Sequence, residues 1–169
     1  MERRDKFVLV ALTCAAILLT GSALLEAKPA RDPVSGEASV SGKVPTMTGT
    51  GTMVIRGQEA KIRITTMLLG PPRVSDDGTE HAKTTHKIEI LDEDGDVART
   101  IITEDAAVSE PIGVSPDDGF MEYKLNANMK VVEGGTGRLH AHGILRMRVV
   151  SPTDIDVEAS YRINGVIGD

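Results

Sequence analysis

The chain has 169 residues, room for one domain, and carries a net charge of −6. It has no Trp and only two Phe and two Tyr. That excludes an aromatic stacking platform for single-stranded nucleic acid, and the acidic balance opposes binding to phosphate backbones. A core must then come from Val, Ile, Leu, Met and Ala, which at period two suit a narrow sheet interior.

The first element reads as an export signal over residues 1–27. Arg3, Arg4 and Lys6 precede an uncharged apolar run from Phe7 to Gly21. Gly21-Ser22-Ala23 forms a small-x-small cleavage pattern, and Ala27 offers a second site. Cleavage there predicts a secreted or periplasmic protein. The alternative is an uncleaved anchor, because Phe7 to Leu25 is about long enough to cross a bilayer; that segment would be the only membrane contact. Cys14, the single cysteine, lies in this run. The mature domain then has no thiol, which excludes disulfides, thiol nucleophiles and cysteine metal sites.

Residues 28–39, with two prolines in the surrounding Glu26 to Ser39 and no apolar period, read as a flexible linker. A β domain follows over 40–169. Val40 to Lys43 reads as a short first strand. Gly49 to Arg56 and Ala60 to Leu69 flank Gly57 to Glu59 as a tight hairpin. Gly70 to His86 reads as one long polar loop. Thr85 to Asp92 and Val97 to Glu104 flank Asp94-Gly95, a two-residue hairpin signal. Ala107 to Gly113, interrupted by Pro111, belongs at an edge or in a loop. Phe120 to Val132, Arg138 to Val150 and Asp154 to Ile167 are three long strands in succession. No window has helical period. The pattern predicts an all-β fold, an eight-stranded antiparallel β-barrel, with a β-sandwich as the alternative.

Parity assigns the faces of the last three strands. Met121, Tyr123, Leu125, Ala127, Met129 and Val131 point inward. So do Leu139, Ala141, Gly143, Leu145, Met147 and Val149, and then Ile155, Val157, Ala159, Tyr161, Ile163 and Ile167. The short Ser-Pro-Thr connection predicts Val150 opposite Asp154. Arg148 then faces Asp156, and Arg146 faces Glu158, each opposite-charge pair adding a few tenths of a kcal/mol.

The glycines of "GGTG", Gly134 to Gly137, stand between two alternating strands. A phosphate cradle needs a helix N-terminus after the glycines, so they read as a tight turn, and no cofactor site is expected. The stretch "VVEGGTGRLHAHGILRMRV" resembles the Gly-Gly-Thr-Gly hairpin of the allene oxide cyclase and dirigent barrel-like superfamily, which includes secreted bacterial relatives of unknown function. "YRINGVI", Tyr161 to Ile167, is similar to that family's closing strand, and "GTGTMVI", Gly49 to Ile55, to an early one. The likeness covers Phe120 to Asp169 best and departs at Leu139 and His140. It implies an eight-stranded antiparallel barrel. It implies no reaction, and no catalytic residue carries over.

His140 and His142 share one strand face, with Cβ atoms about 7 Å apart. They are metal candidates that lack a third ligand, because the pairing brings Lys130, Asn128, Arg162 and Asn164 beside them. His81 and His86, with Asp76, Asp77 and Glu80, are a second set in the polar loop. Asp92 to Asp96 lacks calcium-loop spacing, and no Gly-x-Ser-x-Gly motif occurs. The solvated reading is preferred for all of these, so no metal is assigned. Tyr123, Tyr161, Met121 and Met147 are the candidates for lining a ligand cavity. The expected function is an exported, non-enzymatic barrel that binds a small apolar ligand or serves in the envelope. The alternative is a cyclase- or dirigent-like enzyme guiding a reactive intermediate. Placed polar groups inside the barrel discriminate the two, and parity offers only Tyr123 and Tyr161.

Overall fold

The computed structural model describes residues 30–151 and 153–169. The expected signal segment, Cys14 included, lies outside the described residues. Nine strands follow in order: β1 (Arg31–Lys43), β2 (Thr46–Ile55), β3 (Gln58–Leu68), β4 (Arg73–Val74), β5 (Glu80–Leu91), β6 (Val97–Val114), β7 (Met121–Glu133), β8 (Thr136–Ser151) and β9 (Asp154–Gly168). Every pairing is antiparallel. β9 pairs with β1 and β3 pairs with β5, so eight strands close in a ring and the two-residue β4 is added to β5. Neighbours in the ring are neighbours in the chain, as in an up-and-down barrel. Closure removes the sheet edges that a sandwich would leave.

Local chemistry explains the turns. β2 and β3 meet through Arg56 and Gly57, whose φ values of 55° and 76° are both positive, as a two-residue hairpin turn requires. The Asp94-Gly95 signal sits in a three-residue loop instead. Gly95 N–H donates to the Asp92 carbonyl, and Asp92 N–H donates to the Asp96 carbonyl. "GGTG" is a turn: β7 stops at Glu133, β8 starts at Thr136, and Gly134 has φ 77°. Arg99 donates to the carbonyls of Gly134 and Gly168, tying that turn to the end of β9.

Three expectations are corrected. Arg31 to Ser39 is not linker but the first part of β1. Val34, Ala38 and Val40 are buried, while Ser35, Glu37 and Ser39 face out. Pro33 hid this period. It pairs only with Val166 of β9, because pairing to β2 begins at Val34, so its missing N–H costs no bond there. Ala107 to Gly113 is the second half of β6 and not an edge piece. Its Pro111 lies past the last pair with β5, Glu80 with Ser109, and at a register shift against β7. The polar loop is shorter than Gly70 to His86, since β5 begins at Glu80. A three-residue hairpin loop, Asp76 to Gly78, joins β4 to β5.

The β8–β9 register is as parity predicts. Arg146 faces Glu158 and Arg148 faces Asp156, each with N–O distances of 2.7 Å. Val150 bulges between Val149 and Ser151, so Ser151 rather than Val150 meets Asp154.

Candidate functional site

One half of the interior is filled. Met53, Ile62, Ile64, Ile88, Ile101, Met129, Ile163 and Ile167 are all fully buried there. Toward the other end the inward positions turn small. Ala107 faces Ala127 across β6 and β7, and Ala127 faces Ala141 across β7 and β8. Three short side chains in one row leave space. A cavity of about 80 Å³ lies between them, Leu125, Leu145 and Val157. Gly143 belongs to the same device. A Cβ there would sit 2.6 Å from Tyr161 Cα and 2.1 Å from the Ser160 carbonyl, so only glycine lets β9 come this close.

The wall facing the alanines is polar. The register brings Thr66 of β3 opposite His86 of β5, and Thr84 of β5 opposite Asp105 of β6. Diagonal neighbours within reach complete the cluster. Thr66 Oγ1 lies 2.8 Å from His86 Nδ1. His86 Nε2 lies 3.1 Å from both Asp105 Oδ2 and Thr84 Oγ1. Thr84 donates to the other Asp105 oxygen. The Asp105 side chain is fully buried and that of His86 nearly so.

The network fixes the proton positions. Asp105 accepts only, and Thr84 has committed its proton to it. Both groups facing Nε2 are therefore acceptors, so Nε2 carries the hydrogen. In the neutral ring Nδ1 is then bare and accepts from the Thr66 hydroxyl. Tyr161 completes the wall. Its hydroxyl is buried beside Thr66, with no partner in full hydrogen-bond geometry. Burial pushes its pKa up to about 12, the Asp105 charge adding and Thr66 opposing. It keeps its proton at any ordinary pH and is a standing donor.

Of the cavity candidates, Tyr161 lines the space. Tyr123 is buried outside it, Met147 packs half-buried against the core, and Met121 is 39% exposed at the strand end. Nearer the rim, Glu80 stands close to the Tyr123 hydroxyl. Burial raises the Glu80 carboxyl, and burial together with Glu80 raises the Tyr123 phenol.

The four histidines fall in three places. His140 and His142 lie on the outer face with ring centroids 5.9 Å apart. Asn128 and Asn164 face His140, while Asn126 and Arg162 face His142. Lys130 faces Arg138 and not a histidine. His81 is exposed beside Arg73. His86 alone is inside. Among the described residues no three His, Cys, Asp or Glu side chains gather as a metal site would need.

Reading the interior as polar only at Tyr123 and Tyr161 is therefore corrected. Thr66, Thr84, His86 and Asp105 also point inward. Sequence alone leaves His86 at the junction of the polar loop and the strand from Thr85, because Thr84 and His86 interrupt the apolar alternation. Counting back in twos from Ile90 and Ile88 reaches both of them. Counting forward from Ile101 through Thr103 reaches Asp105. The same parity that sorted β7 to β9 holds the signal.

No family model, no curated protein and no solved structure matches this chain.

Proposed function

We propose that this protein is an exported β-barrel that binds one small, neutral, mainly apolar molecule in the half-filled end of its interior. The observation that carries the reading is the apolar cavity of about 80 Å³ with the buried Tyr161 hydroxyl and Thr66 packed against it. Buried polar groups are nearly always paired, and the Tyr161 hydroxyl, packed beside Thr66 behind the apolar lining, has no partner in full hydrogen-bond geometry, which favours a ligand acceptor that reaches it. Neutrality follows from burial, which penalises a ligand charge of either sign, and the Asp105 carboxylate further opposes an anion. Export rests on Arg3, Arg4, Lys6 and the apolar run after them. Kinship with the allene oxide cyclase and dirigent barrels rests on the glycine hairpin and the eight-strand ring.

Size bounds the ligand. At about 10–15 Å³ per water, the cavity takes about six water-sized groups. At about 1.5 kcal/mol per heavy atom, six atoms reach about 9 kcal/mol at best, a dissociation constant of about 0.3 μM. Such a ligand must be abundant to matter.

Cyclopentanone, six heavy atoms with one acceptor oxygen, is a suitable probe. It should raise the melting temperature of the wild type. Ala127→Leu, which fills the space, should raise the melting temperature alone and abolish the cyclopentanone response. No response by the wild type at millimolar cyclopentanone would sink the reading. The second reading, a cyclase- or dirigent-like enzyme, draws support from one observation. The interior holds placed polar groups, His86 and Asp105 among them, which cyclisation guidance needs.

A further inference from the structure

We propose that Thr66, His86, Asp105 and Tyr161 form an acyl-transfer site, in which Thr66 is the nucleophile toward small neutral esters. The inference rests on the binding reading, since the substrate would occupy the same cavity. All four side chains line it.

The geometry meets the requirements of such a site in turn. A nucleophile needs a base within hydrogen-bond reach, and Thr66 Oγ1 stands 2.8 Å from His86 Nδ1. The base needs an orienting acceptor on its far nitrogen, and Asp105 Oδ2 stands 3.1 Å from Nε2. That carboxylate is itself fixed by Thr84. The Thr66 proton points at the base, which leaves the lone pairs of Oγ1 to attack a carbonyl carbon brought against it. An oxyanion needs a donor that stays protonated, and the Tyr161 hydroxyl, lying beside Thr66, is one.

The cluster's placement argues against a purely structural role. The same strands fill the opposite half with Ile and Met. A buried polar network anchored on a carboxylate is often no more stabilising than well-packed apolar residues of similar volume.

Thr66 Oγ1 bonds to the ester carbonyl carbon as its proton passes to His86 Nδ1. The carbonyl electron pair moves onto oxygen, which accepts from Tyr161. Collapse re-forms the carbonyl and breaks the bond to the leaving alcohol, which takes the proton from Nδ1. Water then attacks the acyl-Thr66 ester with His86 as base, and Thr66 leaves with its proton restored. Ester and water give acid and alcohol, with no other reactant.

Vinyl acetate, a six-heavy-atom activated ester, tests this on the full chain. Wild type and Thr66→Ser should release acetaldehyde and carry one acetyl group at residue 66 by peptide mass mapping. Thr66→Val, which keeps the branched shape but leaves His86 Nδ1 without its donor, should melt somewhat below the wild type, stay folded, and lose the residue-66 acetyl. His86→Asn should slow acylation at least about 100-fold. Acetylation confined to lysines, or an undiminished acylation rate in Thr66→Val, overturns the proposal. Should His86→Asn not fold, the Thr66 pair decides alone. A wild type that cyclopentanone stabilises but vinyl acetate does not acylate leaves binding standing and acyl transfer refuted. One that responds to neither refutes both.

Discussion

The two halves of the barrel interior are built by the same strands and differ in what those strands point inward. β3 contributes Ile62 and Ile64 to one half and Thr66 to the other. β5 contributes Ile88 and Ile90, then His86 and Thr84. β6 contributes Ile101, then Asp105 and Ala107. β7, β8 and β9 contribute Met129, Leu139 and Ile163 to the filled half, and Ala127, Ala141 and Ala159 to the other. Backbone hydrogen bonding is common to both, so the difference lies in side-chain volume and polarity alone. One half is packed with fully buried Ile and Met side chains, whose burial stabilises the fold. The other gives up contacts and buries polar groups, as functional sites do.

The sharpest break in that comparison is Asp105→Ala. It leaves the Thr84 hydroxyl and His86 Nε2 buried without their acceptor, and should cost about 1–3 kcal/mol for each group. Replacing both His86 and Asp105 by Leu removes the unpaired groups together and should be far milder than either change alone. Urea midpoints of the two singles and the double measure this. A double mutant as unstable as the sum of the singles would make the cluster part of the scaffold rather than a cost carried for a site.

Next in size is Ile163→Ala in the filled half. Ile163 is fully buried, and its truncation should cost about 2–5 kcal/mol by lost transfer and a new cavity. That is a large share of the ~5–15 kcal/mol that holds a domain. A fall as small as that of a surface change would show that both halves are loosely packed, and the comparison would fail.

The ring and most of its register were legible because period two is strong wherever the inward residues are apolar. Arg146 with Glu158 and Arg148 with Asp156 came from parity plus one short connection. The reading failed where inward residues are polar or cyclic. Pro33 and Ser35 masked the start of β1, Pro111 masked the end of β6, and Thr84 with His86 masked the start of β5. The site hid for the same reason that it is a site. Its residues break the apolar alternation that marks a strand. Their approach also depends on the closure of β3 onto β5, a contact that no local pattern encodes.

A third change tests the turn that sets the β7–β8 register. Gly137 has φ 139°, and a Cβ there would stand 2.1 Å from the Val166 carbonyl oxygen. Gly137→Val should cost at least about 1–2 kcal/mol from backbone conformation alone. Adding Gly135→Val should deepen the loss, by crowding Arg99 and the Gly168 carbonyl. Thermal melts with and without phosphate check it. An unchanged melting temperature in buffer, with stabilisation by phosphate lost, would make "GGTG" a binding loop instead.

The smallest effect belongs to the rim, where the open half meets water. Glu80 has its carboxyl raised by burial, with the Tyr123 hydroxyl partly offsetting. A raised folded pKa means that the folded state holds the proton after the unfolded chain has released it. Stability from this group is full below the ordinary carboxylate range and falls as pH climbs through the folded pKa. Glu80→Gln removes that loss. The variant should therefore gain on the wild type between acid and neutral pH, then hold a constant lead. The lead should stay under about 1 kcal/mol, because water at the rim screens a half-exposed group. Other carboxylates move the opposite way. Arg148 holds Asp156 low and Arg146 holds Asp118 low, so both proteins lose stability in acid. Subtracting one melting curve from the other at each pH cancels those terms and leaves Glu80. A difference that does not change with pH would show that Glu80 is solvated at the rim, and that the open half is wetter than its buried Tyr161 indicates.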